Sequence, residues 1–166
     1  MEALKPGTRA PDIALTSTNG KPFILSNVLE RGPAVMAFFK VSCPTCQYAF
    51  PYLERMFQAH KTEAMTIVGI SQDNLESTRQ FMKQYGVTFP VLLDDPGQYR
   101  ASKDYGLTNV PTVFLISDKG KIELTSVGWA RGEMEELNSQ LAMMSPEQNV
   151  VPIFRAGEQV VEYKAA

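Results

Sequence analysis

The most constraining stretch of this sequence is an apolar run, Pro33 to Lys40, that leads into Cys43-Pro44-Thr45-Cys46. A continuous run of this kind, without polar alternation, predicts a strand buried on both faces, which needs a sheet covered by helices on each side. The longest purely apolar part, Ala34 to Phe39, is strand-sized and too short to span a bilayer. Beyond the cysteines, Phe50, Leu53, Met56 and Phe57 recur at helical spacing. They predict a helix from about Cys43 to His60 with one core-facing stripe. Pro51 lies inside it, where its ring and missing N–H predict a kink.

The remaining elements fall into place around this unit. Asp12 to Ser17 alternates, Asn19-Gly20 is a hairpin turn signal, and Pro22 to Leu25 is the returning strand. Ser26 reads as the N-cap of a short helical turn ended by Gly32-Pro33. Met65 to Ser71 predicts a second buried strand. Asn74 to Tyr85 predicts a helix, with Leu75, Phe81, Met82 and Tyr85 for its buried face and Gly86 as its stop. Phe89 to Leu93 is a short strand and Gln98 to Asp104 a short helix. Thr112 to Ile116 and Lys121 to Gly128 flank the turn Asp118-Lys119-Gly120 and predict an antiparallel hairpin, with a last helix over Gly132 to Met144. This order predicts an α/β fold: a mixed central sheet flanked by helices on both faces, with an added N-terminal β-hairpin. One domain is expected over residues 1–145, followed by a Pro-broken extended arm over 146–166 that is not a second domain.

Composition narrows the function. The chain has 166 residues and a net charge of −2, with no basic run, so nucleic acid is not an expected partner. The start, Met1 to Gly7, lacks the basic segment and apolar block of a signal peptide. A cytoplasmic location is expected as the chain stands, and an extracytoplasmic one if an export signal was trimmed. The two cysteines are too few for a secreted disulfide scaffold. A zinc site needs about four ligands, and the one histidine, His60, leaves that set short. A purely structural bridge across so short a loop removes little unfolded-state entropy. Neither a metal nor a bound cofactor is expected; redox chemistry of the Cys43–Cys46 pair is.

The placement of the pair suits that chemistry. A helix beginning at Cys43 would present free backbone N–H groups and its positive dipole end to the sulfur, which favours a thiolate. Pro44 would occupy the first helical position, where its fixed φ is preorganised. Cys46 would lie one turn on, within reach of a mixed disulfide. Cys43 would attack a partner disulfide and Cys46 would then resolve the adduct. A second feature, Asn109-Val110-Pro111-Thr112, opens a buried strand; by itself it reads as a strand-initiating proline with a trans bond.

From Gly7 to Met144 the chain resembles the thioredoxin superfamily, nearest the redoxin group that contains TlpA/ResA-type thiol–disulfide oxidoreductases and the peroxiredoxins. The resemblance rests on Gly7-Thr8-Arg9-Ala10-Pro11-Asp12, Phe38-Phe39 before the cysteine motif, and Gln47 to Leu53. It continues through Tyr85 to Val91 and Val110-Pro111-Thr112. It implies that Cys43 is the nucleophile, Cys46 the resolving thiol and Pro111 a cis proline. Such a bond would turn the Val110 backbone toward the cysteines, where an extended peptide can pair with it. Pro44 and Thr45 complete the implied substrate-binding set. The implied substrates are protein thiols and disulfides, with the protein as reductant and a thioredoxin-type or membrane electron donor behind it.

The sequence departs from this group in three places. Ala49 stands where TlpA/ResA-type proteins often carry a glutamate, Ala37 where thioredoxins carry a buried aspartate, and Ser42 where thioredoxins have tryptophan. Lys40, Gln72 and Asp73, at strand ends, are the remaining candidates to take the Cys46 proton, although each also reads as a solvated side chain. Two alternatives stay open. A peroxiredoxin-like thiol peroxidase is disfavoured because Lys40 and Met36 occupy the positions of that motif's threonine and proline. A thioredoxin-fold partner-binding module is disfavoured by the intact cysteine pair. Cys-Pro-x-Cys also resembles glutaredoxins, which are shorter and lack the first hairpin. Trp129, Tyr48 and Phe50 read as core or as rim of the site, and His60 as a helix cap or a solvent-facing residue.

Overall fold

The computed structural model describes residues 2–62, 64–145 and 148–166. A hairpin of β1 (Ala14–Ser17) and β2 (Pro22–Ile24) leads into a short helix α1 (Leu25–Leu29). The apolar run forms β3 (Ala34–Phe39), and the helix after the cysteines is α2 (Pro44–Ala59). Next come β4 (Thr66–Ser71), α3 (Leu75–Tyr85), β5 (Val91–Leu93) and α4 (Arg100–Asp104). The chain finishes with β6 (Thr112–Ile116), β7 (Ile122–Val127), β8 (Trp129–Ala130), α5 (Arg131–Met144) and β9 (Tyr163–Lys164). None of the described helices is long and apolar enough to cross a membrane.

Seven strands form one mixed sheet in the order β2-β1-β5-β4-β3-β6-β7. β3 pairs parallel with β4 and antiparallel with β6, and β4 pairs parallel with β5. β3 is central, and every one of its residues is buried. Its side chains alternate between two cores, as the strand period requires. Val35, Ala37 and Phe39 join the core under α2, α3 and α5, whereas Ala34, Met36 and Phe38 join the core under α1 and α4. Phe38 packs edge-on to Phe114 and tilted on Tyr105, and Phe39 stacks tilted on Phe50 and Phe81. Burying one such ring is worth about 1.5–3 kcal/mol, so this strand is both the hub of the sheet and the mount for the cysteines.

The architecture is the thioredoxin-like one anticipated, with helices on both faces and the added hairpin. Local departures have physical reasons. Ser26 is not the cap of α1: that helix starts one residue earlier, at Leu25, with Ile24 in the cap position. The Asp12 carboxylate instead accepts both the Ser26 N–H and the Ser26 hydroxyl, each at 2.9 Å, so a residue on the incoming chain supplies the acceptor. Leu75 is not in the buried face of α3; it is 39% exposed on the first turn, and Thr78 takes the inward position, bonded to Ser71. α2 runs unbroken through Pro51. His60 is the C-cap residue of α2, its backbone N–H donating to the Met56 carbonyl at 3.0 Å, but it is not solvent-facing: its side chain is buried, with Nε2 2.7 Å from Asn138 Oδ1.

α3 shows the start and stop signals at work. The Asn74 side chain accepts the Ser77 N–H at 2.8 Å, and Gly86 closes the helix at φ 68°, a left-handed conformation without Cβ penalty. Replacing Asn74 by Ala leaves that N–H without its acceptor. It will lower unfolding stability by about 0.5–2 kcal/mol, readable as a lower urea midpoint with unchanged slope.

Candidate active site

β3 ends at Phe39, and a three-residue loop delivers Cys43 to the N-cap of α2. The Cys43 sulfur itself caps the helix, accepting the Cys46 N–H at 3.1 Å. Pro44 follows as the first helical residue, where no N–H is needed. The sulfur therefore sits at the positive end of a sixteen-residue helix with a backbone donor aimed at it, which stabilises negative charge there. Cys43 is partly exposed and Cys46 fully buried, and both are free thiols.

Across the site, the Val110–Pro111 bond is cis and the Cys43 thiol lies 3.5 Å from the Val110 carbonyl oxygen. Residues far apart in sequence thus meet at one sulfur. The Pro111 carbonyl accepts the Gly128 N–H at 2.8 Å, tying this loop to the end of β7. An open cleft of about 440 Å³ lies beside Cys43, lined among others by Lys40, Pro44, Gln72, Asn109 and Val110.

Cys46 lies in the core with Ala37 and Ala49 among its cluster neighbours. Burial pushes its thiol well above the ordinary range, and the neighbouring Cys43 sulfur pushes it further. The two positions where a proton-accepting carboxylate was absent in sequence are thus apolar methyl groups in space. The three strand-end candidates are engaged elsewhere or face water. The Asp73 carboxylate accepts the Val41 N–H at 2.8 Å, and Gln72 donates to the Ser102 hydroxyl at 2.8 Å. Lys40 is exposed on the rim of the cleft.

The sequence predicts an arm after α5 but not that this arm is the last element of the site. β9 pairs antiparallel with β8, and the Trp129 indole N–H donates to the Val161 carbonyl at 2.6 Å. The Tyr48 hydroxyl accepts the Val161 N–H at 2.9 Å, and its ring packs edge-on to Trp129. Trp129 is fully buried and so is part of the core, but it also anchors the arm; Phe50 is core. Thr45, grouped with the substrate-binding residues in sequence, does not line the cleft. It is only 7% exposed and donates its hydroxyl to the Ala165 carbonyl at 2.6 Å. Strands of two residues carry no legible period, so this arrangement had no sequence signal beyond the aromatic residues themselves. The expected boundary at 145/146 adjoins residues 146 and 147, which lie outside the described residues.

Arg55 clamps the arm by a two-pronged contact to the Glu158 carboxylate, both distances 2.7 Å. Hydrogen bonds from Arg55 and from the Arg155 backbone hold the Glu158 carboxyl down at about 2. Because it titrates lower in the folded than in the unfolded chain, its contribution is whole above pH 4.5 and is lost as pH falls through about 2. The sole tryptophan reports on the arm. Its emission will shift to the red across that acid window in the native protein. In Glu158→Gln the shift will already be present at neutral pH.

A thiol-bearing helix N-terminus, a buried second thiol one turn on and a cis-proline loop facing them, on a thioredoxin-like sheet, define the class: a thiol–disulfide oxidoreductase. Residues 6–125 match the AhpC/TSA family, and the chain belongs to it. It is 34% identical over 122 residues to the thiol-disulfide oxidoreductase ResA of Bacillus subtilis, which covers 73% of this chain and 66% of that protein. A solution structure described as a protein disulfide isomerase from Bacteroides thetaiotaomicron superposes with a TM-score of 0.78 at 29% identity, covering 87% of this chain and 94% of that one. A crystal structure described as a thiol:disulfide interchange protein DsbE from Chlorobium tepidum gives 0.73 at 29% identity, covering 83% and 96%.

Proposed function

We propose that the protein reduces disulfides in protein substrates, with Cys43 as the nucleophile and Cys46 as the resolving thiol. The observation that carries this reading is the asymmetry of the pair: Cys43 is reachable and receives a backbone N–H, while Cys46 is sealed in the core. The Cys43 thiolate attacks one sulfur of the partner disulfide; the other sulfur leaves as a thiolate and takes a proton from water. Cys46 then gives up its proton and attacks the Cys43 sulfur. The partner's second sulfur leaves, and two electrons and two protons have passed to the partner. Val110, Pro111 and Pro44 receive the substrate backbone beside Cys43, and Thr45 acts through the arm it holds. The apolar pocket of Cys46 suits the uncharged Cys43–Cys46 disulfide and disfavours an ionised thiol, which supports the reductant direction.

Equilibration against glutathione or dithiothreitol buffers tests the direction. The expected potential lies near that of thioredoxin, roughly −270 mV. A value near the strong-oxidant end, roughly −120 mV, reverses the direction, and the absence of a reversible two-electron couple removes the reading.

A further inference from the structure

We infer that residues 163–166 are a fixed wall of the substrate cleft, and that the protein therefore serves disulfides carried on narrow, extended segments rather than on the surface of a folded domain. This rests on the oxidoreductase reading and names its substrate class. The wall spans the site between two fixed points. At one end the first turn of α2 holds it, where the Thr45 hydroxyl donates to the Ala165 carbonyl two residues from Cys43. At the other end it passes against Gly128, whose N–H is bonded to Pro111. There the approach is so close that a Cβ on Gly128 would stand 2.8 Å from the Lys164 carbonyl oxygen and 3.0 Å from the Ala166 nitrogen. Gly128 also has φ 81°, so glycine is required there twice over. Ala166 then forms part of the lining of the cleft that contains Cys43.

The wall is anchored along its length, which distinguishes it from a strap that swings away. Trp129 and Tyr48 hold the two backbone polar groups of Val161, and the Arg131 N–H donates to the Glu162 carbonyl at 2.9 Å. Lys164 lies over the Tyr48 ring, its Nζ 5.6 Å from the centroid. Upstream, the Arg55–Glu158 clamp fixes the turn from which the arm departs. With this side closed, Cys43 is approached along Lys40, Gln72 and Val110. The space there, about 440 Å³, is of small-ligand scale. An extended segment pairing with the Val110 backbone fits the opening.

The test compares the full chain with a variant ending at Glu162 and with Gly128→Ala, each confirmed folded by circular dichroism. Cys43 is alkylated with iodoacetamide and, separately, with a maleimide fixed to a small globular carrier protein. In both variants the carrier reaction is expected to accelerate by about tenfold or more, equivalent to about 1.4 kcal/mol of relieved exclusion, while iodoacetamide changes little. Equal acceleration of both reagents, or of neither, overturns the wall. The same proteins are then given insulin and a linear peptide with a single intermolecular disulfide. The expected result is faster reduction of insulin in the variants and an unchanged peptide rate. If the alkylation contrast holds but no protein exchanges either disulfide, the oxidoreductase reading falls and the wall stands. If disulfides are exchanged but the alkylation contrast is absent, the wall falls alone.

Discussion

A Cys46→Ser protein mixed with a disulfide-bonded substrate will hold that substrate as a covalent adduct through Cys43, visible as a higher band on a non-reducing gel and released by dithiothreitol. The first attack needs only the exposed sulfur at the helix N-terminus, which the substitution leaves in place with its backbone donor. The second attack needs a thiol one turn on, and serine cannot supply it. The native protein will show no such band, because the intramolecular attack benefits from a local concentration far above any external thiol. Cys43→Ser will form no adduct and show no turnover, since the remaining thiol is fully buried and burial keeps it protonated. An adduct formed by the Cys43→Ser protein would reverse the assignment of nucleophile and resolving thiol.

The second large effect is on stability. Trp129→Ala will lower the unfolding free energy by about 3–5 kcal/mol, the cost of emptying a large buried aromatic site. That is a large part of the roughly 5–15 kcal/mol typical of a domain. The indole is fully buried between Tyr48, Tyr52 and Phe154 and bonded to the arm, so one truncation removes a piece of core and the anchor of Val161 together. Trp129→Phe separates the two. It keeps an aromatic ring but leaves the Val161 carbonyl without its donor, at a cost of about 1–3 kcal/mol. Urea unfolding followed by far-ultraviolet circular dichroism measures both. If Trp129→Ala unfolds at the native midpoint, the arm and the core are not coupled through this residue.

Much of the fold was legible because strong local signals agreed with the global arrangement. The unbroken apolar run of β3 demands burial on both faces, and both faces are indeed core. The stripe of α2, the cap at Asn74 and the stop at Gly86 act within a few residues of themselves, so neighbours in sequence suffice to read them. Legibility failed where a distant partner decided. Ser26 lost its capping role to Asp12, fourteen positions away. Leu75 has an inward period but lies on the exposed first turn of its helix. His60 is polar, yet it is buried because Asn138 on another helix satisfies its ring.

The candidate site divides in the same way. The identity of the two thiols, their one-turn spacing and the proline that starts the helix are properties of consecutive residues, and the sequence by itself determined them. The unequal environment of those thiols is not local. Cys43 meets Val110 only because β6 lies beside β3 in the sheet, and Cys46 is sealed only because the core closes over it. The arm is the furthest case. Its seat on Thr45, Gly128 and Trp129 depends on contacts across as many as 120 positions, between segments that share no periodic pattern. Only the tertiary structure could decide it, because hydrogen bonds and close backbone approach across that separation exist only once the sheet has brought the ends of β3 and β7 to the same end of the sheet.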